Sequence, residues 1–167
     1  FTNDYGNASS KSHEFGWKAE AAVEFSRKLA ARLLKCEPRD IIFTSGATES
    51  INLAIKGAAE ANNAKGNHII TTVIEHEAVL DSCKDLEKKG FDVTYVKVDE
   101  NGLVSPDDIA NAITDKTILV SVMYVNNEIG TIQPVKEIAK LWRLKKILFH
   151  TDATQAIGKI PIDLAKL

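Results

Sequence analysis

Cysteine is scarce in this sequence. Only Cys36 and Cys83 occur among 167 residues, too few for a disulfide framework. Cys36 ends a helical stretch and Cys83 lies on an amphipathic one, so both read as small buried hydrophobes of a reducing compartment. A catalytic thiol needs a base or a helix N-terminus beside it, and neither local sequence supplies one. Excess charge is missing too: 21 Lys and Arg against 23 Asp and Glu give a formal net charge of −2. With no basic surplus to hold a phosphate backbone, nucleic acid is not an expected partner. No apolar run approaches membrane-spanning length, so no membrane partner is expected. No pair of His or Cys has zinc spacing, so no metal site is expected. The Walker pattern GxxxxGK[ST] and the GxGxxG fingerprint are both absent, which counts against ATP and dinucleotides. There is no internal repeat, low-complexity tract or linker. The first residues, FTNDYGNASS, are too polar for a signal peptide. They also lack an initiator Met, so the chain is expected to begin within a longer protein.

What is present is ordinary in bulk, with 44% hydrophobic and 26% charged residues, and suits one globular domain with a real core. Strong helix formers at helical spacing predict a helix over Trp17 to Leu34, which Glu37-Pro38-Arg39-Asp40 breaks. Ile41 to Ser45 (IIFTS) is predicted as a strand, Gly46 as a turn, and Thr48-Glu49-Ser50 as the opening of a helix to about Asn63. Then come a strand in HIITTVI, a helix from Ala78 to Lys89 with Gly90 as C-cap, and an alternating strand in FDVTYVKV. Ser105-Pro106-Asp107-Asp108 caps a short helix. TILVSVMYV is a strand, Pro134 to Leu144 a helix, ILFHTD the last strand. This alternation predicts a three-layer α/β/α domain with a mostly parallel sheet and right-handed crossovers. In such sheets ligands bind beyond the C-terminal strand ends.

Those ends carry unusual polar groups. After IIFTS, Gly46-Ala47-Thr48 opens a helix whose free amides form either a simple cap or a phosphate site. After HIITTVI stands His76, either structural or able to stack on a planar ligand and shuttle a proton; Glu75 beside it is expected to point elsewhere. His150 lies inside the last strand and is expected in the core or against the sheet. Asn127 follows TILVSVMYV. Asp152 ends the last strand, where a buried carboxylate is costly unless it meets a cation or good donors. It reads either as a cap of the next turn or as the partner of a protonated ring nitrogen, with Gln155 donating nearby. A phosphate cradle, a flat stacker, a carboxylate for a ring cation and amides for a ring hydroxyl together suit pyridoxal phosphate (PLP).

The segments FTSGATESINLAIKG, IITTVIEHEAVLDSC, VSVMYVNNEIGTIQP and FHTDATQAIGKIPID resemble the NifS/IscS-type cysteine desulfurases, of the class V aminotransferase family and PLP fold type I. YGNASSKSHEFG is similar to that family's GNPSS-x-H-x-x-G loop. The resemblance covers essentially the whole chain. It implies that Ala47 and Thr48 bind the PLP phosphate and that His76 stacks on the ring and helps move protons. Asn127 would lie near the ring hydroxyl, Asp152 would pair with the ring nitrogen, and Gln155 would bond the phenolic oxygen. It further implies conversion of L-cysteine to alanine, with the sulfur carried off as a persulfide for iron–sulfur cluster or thio-cofactor synthesis. A homodimer, an iron–sulfur scaffold or other sulfur acceptor as partner, and a cytoplasmic (in a eukaryote, organellar) location are implied as well.

Asn7-Ala8 stands where the family has Asn-Pro, and Ile51 where Asn is common. The family's Schiff-base lysine, in a Ser-x-His-Lys segment, and its persulfide cysteine match nothing here. The chain is therefore expected to be the central part of a longer enzyme, a partial PLP-binding large domain without N-terminal arm or C-terminal domain, and inactive alone. A noncatalytic fragment needing a complementary chain, and a selenocysteine lyase or cysteine-sulfinate desulfinase, stay open as alternatives.

Overall fold

The computed structural model describes residues 5–143 and 147–164, which fall into two compact units. The first comprises residues up to Phe43 together with 162–164. Its main element is α1 (Glu14–Leu34). His13 caps the helix, its Nδ1 accepting from the Gly16 amide at 3.2 Å. Lys35 ends it in the left-handed conformation, φ 58°. Gly16 is required by close approach: a Cβ there would meet the Ser10 carbonyl oxygen at 1.8 Å. Beyond a short 3-10 turn at Pro38–Asp40, the Arg27 guanidinium lies 5.0 Å from the Phe43 ring centroid and bonds the Ile41 carbonyl, a cation–π contact of modest worth.

The second unit begins at Thr44 and carries the sheet. In chain order it contains α2 (Ala47–Asn62), β1 (His68–Thr72), α3 (Glu77–Lys88), β2 (Asp92–Val96), α4 (Pro106–Ala112), β3 (Thr117–Ser121), α5 (Val135–Arg143) and β4 (Leu148–His150). The strand order is β2-β1-β3-β4, and every pairing is parallel. β1 and β3 are buried along their whole length, as central parallel strands must be when both faces are covered. One face packs Ile51, Ile55 and Ala59 of α2 and Val79, Cys83 and Leu86 of α3 onto Ile69 and Leu119. The other packs Ile109 and Ile138, from α4 and α5, onto Ile70, Val120 and Val122. This is the three-layer α/β/α arrangement that the alternating pattern predicts.

One predicted strand is absent. Ile41 to Ser45 has no ladder among the described residues. β-branched residues favour an extended backbone, but a strand exists only through a neighbour, and none is offered. Ile42 is accordingly 70% exposed and Phe43 51%. The remaining strands end earlier than the apolar runs suggest: β3 stops at Ser121 although the run continues to Val125. The end of the predicted helix at Leu144 lies outside the described residues.

Candidate functional site

The C-terminal ends of β1, β3 and β4 and the N-terminus of α2 meet around a narrow cleft of about 80 Å³. Ala47 contributes from α2, His76 from beyond β1, Asn127 from beyond β3, and Asp152 and Gln155 from beyond β4. Five of the six residues singled out in the sequence thus share one wall. Thr48 is the exception. It lines a separate open groove along α2 with Ser45, Glu49 and Asn52, because successive helical residues point about 100° apart.

Each side chain has a definite local reason for its position. His76 is the N-cap of α3, and its Nδ1 accepts from the Ala78 amide at 3.1 Å. That nitrogen needs its lone pair, so the neutral ring carries its proton on Nε2. Asp152 is 8% exposed. Its Oδ1 accepts from the Thr154 amide at 2.9 Å, and its carbonyl accepts from the Tyr124 amide at 2.8 Å. Among the described residues no donor reaches Oδ2, so one carboxylate oxygen of this cleft-lining residue has no partner. Asn126 is the structural member of the Asn pair. It is buried, donates to the Ile74 carbonyl at 2.9 Å and accepts the amides of Glu128 and Ile129. That frees Asn127 to face the cleft, with Nδ2 on Glu128 at 2.8 Å. Gln155 accepts from Lys159 Nζ through Oε1 at 2.6 Å, so its amide N–H groups remain donors toward the cleft.

At α2, Gly46 provides no side-chain cap. The first amides, from Ala47 to Glu49, therefore have no acceptor among the described residues and carry the positive end of the helix dipole. Glu49 turns back instead, accepting from Ser45 N and Oγ at 2.6 Å each, which holds its carboxyl below the usual range. An anion cradle, a flat imidazole, an unpaired carboxylate oxygen and two amide side chains form a donor set that fits PLP: phosphate to amides, ring to imidazole, pyridinium to carboxylate.

Three cleft residues were not legible as site residues: Met123, Val125 and Thr154. The first two could have been found from strand periodicity, since 123, 125 and 127 alternate toward one face. Glu75 carried no signal at all. It does not line the cleft, yet it is only 5% exposed. Its Oε1 accepts from Thr72 Oγ1 at 2.7 Å and from the Met123 amide at 2.9 Å, while Oε2 is buried without a partner among the described residues. Burial, aided by the charge of Asp152, pushes its carboxyl up to about 7. Cys83 is fully buried, and burial with nearby Glu75 and Glu87 pushes its thiol up to about 12, so it is no thiolate nucleophile. His150 sits on Ser121 Oγ at 2.8 Å, and burial lowers its proton affinity.

The Glu75 environment predicts a pH dependence of stability. A carboxyl that binds its proton more tightly in the fold than in the unfolded chain, where it titrates near 4.5, costs stability as pH rises from about 4.5 to about 7, and the full cost persists above that. The penalty is on the order of 3 kcal/mol. Glu75→Gln is therefore expected to raise the melting temperature at pH 8 and leave it nearly unchanged at pH 4.

The aminotransferase class-V family profile matches residues 1–167. The chain belongs to the class V aminotransferase family. Members of this family and the cysteine desulfurases related to this chain are PLP-dependent. The chain is 56% identical to the cysteine desulfurase IscS of Colwellia psychrerythraea over 168 residues, covering 99% of this chain and 42% of that protein. Against IscS of Pasteurella multocida identity is also 56%, over 98% of this chain and 41% of the relative. A solved NifS-like protein superposes with a TM-score of 0.93 at 44% identity, over 97% of this chain and 45% of the other. SspA in complex with cysteine gives 0.94 at 41% identity, over 99% and 47%. The chain thus spans less than half the length of the relatives it matches, and the PLP fold type I architecture expected from the sequence is the one found.

Proposed function

We propose that this chain forms the PLP-binding core of a cysteine desulfurase, contributing the cofactor cradle to an enzyme that takes sulfur from L-cysteine and hands it to an acceptor. The observation that carries the reading is the unpaired Asp152 Oδ2 on a cleft that also holds His76 and opens beside the free amides of α2. The similarity to named cysteine desulfurases and to a solved relative in complex with cysteine supports it. PLP bound here supplies an electron sink for bond breaking in an amino acid. Asp152 would hold the ring nitrogen in its protonated form. His76 would stack on the ring and offer Nε2–H to the reacting region. Asn127 and Gln155 would orient the ring oxygen, and the α2 amides would hold the phosphate.

Among the described residues the cleft lining includes no lysine, and Lys159 is tied to Gln155. We therefore expect the 167-residue chain to hold PLP noncovalently and to release no measurable alanine from L-cysteine. Titration of the chain with PLP by absorbance, followed by borohydride reduction and peptide mass analysis, tests this. Saturable binding without a stoichiometric lysine adduct supports the reading. Absence of binding, or one adduct on a single lysine, with the Lys159 peptide checked first, overturns it.

A further inference from the structure

The ladder between β1 and β3 runs as far as Ile70 and Val120, and β1 itself ends at Thr72. Past that point side chains take over the bridging. Glu75 Oε1 accepts from the Met123 amide, and Asn126 Nδ2 donates to the Ile74 carbonyl, each at 2.9 Å. Asn126 is the fuller of the two ties. It is buried, and its side chain offers two donor and two acceptor positions. All four are taken. Nδ2 serves the Ile74 carbonyl and, at 3.4 Å, Met123 Sδ. Oδ1 accepts from the Glu128 amide at 2.8 Å and from the Ile129 amide at 3.0 Å. Turning the amide over would set its NH2 group against two N–H donors and its oxygen against a carbonyl, so one orientation is imposed.

We propose that Asn126 is a positioning residue: one planar amide ties the turn that carries His76 to the loop that carries Asn127, and so sets the gap in which the cleft holds a flat ligand. The identity of that ligand rests on the cofactor reading above; the tie itself does not. Each end of the tie lies close to a cleft residue in the chain. Ile74 stands two residues before His76. The bonds from Glu128 and Ile129 to Oδ1 shape the turn in which Asn127 stands. His76 and Asn127 both line the cleft, and so does Met123, whose sulfur the same amide reaches. His76 is also the N-cap of α3, so the turn before it is the part left to be fixed from outside. An amide held at four points transmits position, because moving one wall breaks bonds at the other. A buried amide that lost one of these partners would carry the cost of an unsatisfied polar group, which favours a single spacing of the walls.

Two variants of the full chain test this. Asn126→Asp keeps an oxygen for the Glu128 and Ile129 amides but replaces the donor to Ile74 with an acceptor. Asn126→Ser is the neutral alternative: its hydroxyl still accepts in such turns but stops short of Ile74. Each chain is titrated with PLP and followed by absorbance and by NMR of the His76 ring. Both variants are expected to bind PLP roughly two- to tenfold more weakly, the worth of one hydrogen bond. The decisive readout comes at saturation. A stacked ligand shifts the His76 ring protons of the parent chain, and in the variants that shift is expected to shrink even with every site filled. A residue that merely supports the fold would change affinity and leave the saturated shift alone. Amide hydrogen exchange without PLP gives the second readout. The Ala78 amide, bonded to His76 Nδ1, is expected to exchange roughly two- to tenfold faster in both variants, with the β3 amides unchanged. Shifts of parental size at saturation in both variants, or unchanged Ala78 exchange, overturn the inference. If PLP binds none of the chains but Ala78 exchange is faster in both variants, the tie stands and the cofactor reading fails.

Discussion

Asp152→Asn weakens PLP binding by roughly three- to tenfold, the loss expected when a charge-assisted hydrogen bond worth about 1.5–3 kcal/mol becomes a neutral one about half as strong. The substitution isolates charge from geometry. Asparagine keeps an oxygen for the Thr154 amide, so the turn that follows β4 survives. The Tyr124 amide bonds the main-chain carbonyl and does not sense the change. What disappears is the anionic oxygen on the cleft, and with it the protonated ring nitrogen. Asp152→Ala removes the turn's acceptor as well and should cost stability besides affinity. Absorbance titration with PLP beside thermal melts of both variants checks this. Equal affinity in Asp152→Asn and the parent chain would mean that the carboxylate serves only to cap residues 152–154. Relief of the repulsion on Glu75 partly offsets any loss of fold stability in Asp152→Asn, so an unchanged or raised melting temperature with weakened binding is the diagnostic combination.

The parts of the molecule that were legible in the sequence share a physical character: they are governed by neighbours in the chain. Helical spacing marks α1, α2 and α3, and short runs rich in β-branched residues mark β1 and β3. The rim residues follow because a parallel sheet delivers its strand ends to one side. The failures have the opposite character. IIFTS has strand composition, but pairing is decided by a partner distant in sequence, and none is present among the described residues. The Thr48 amide stands with those of Ala47 and Glu49 at the start of α2, but one residue of helical rotation, which spacing alone did not resolve, carries the Thr48 side chain to the α2 groove while Ala47 faces the cleft. Glu75 is the plainest case. Local sequence places it in a polar turn, and only the packing of β1 against the segment after β3 buries it at 5% exposure and bonds it to an amide 48 residues away. Burial of a carboxyl is a tertiary fact, so its raised proton affinity could not be read from HIITTVIEH.

Ile55→Ala destabilises the chain by about 2–5 kcal/mol, the cost of emptying a fully buried isoleucine site. Ile55 is 0% exposed and occupies the middle of the α2 stripe Ile51-Ile55-Ala59, spaced by four residues so that all three face the sheet. Its neighbours there include Val79, Cys83 and Leu86 from α3 and Ile69 and Leu119 from the strands. The flanking Ala59 has no bulk to move into the void, and strand residues locked in a parallel ladder cannot collapse toward it, which favours the upper part of the range. Leu53, on the opposite side of α2 and 55% exposed, provides the control: Leu53→Ala should shift stability by no more than about 0.5 kcal/mol. Denaturant unfolding of the three chains reads the difference directly. The comparison reaches the site because α2 carries the anion cradle at its N-terminus, two turns before Ile55. If packing of this stripe aims those amides, Ile55→Ala weakens phosphate-dependent PLP binding under conditions where the chain is still folded, whereas binding of pyridoxal, which lacks the phosphate, changes less. Equal losses for PLP and pyridoxal would show instead that Ile55 supports the fold without aiming the helix.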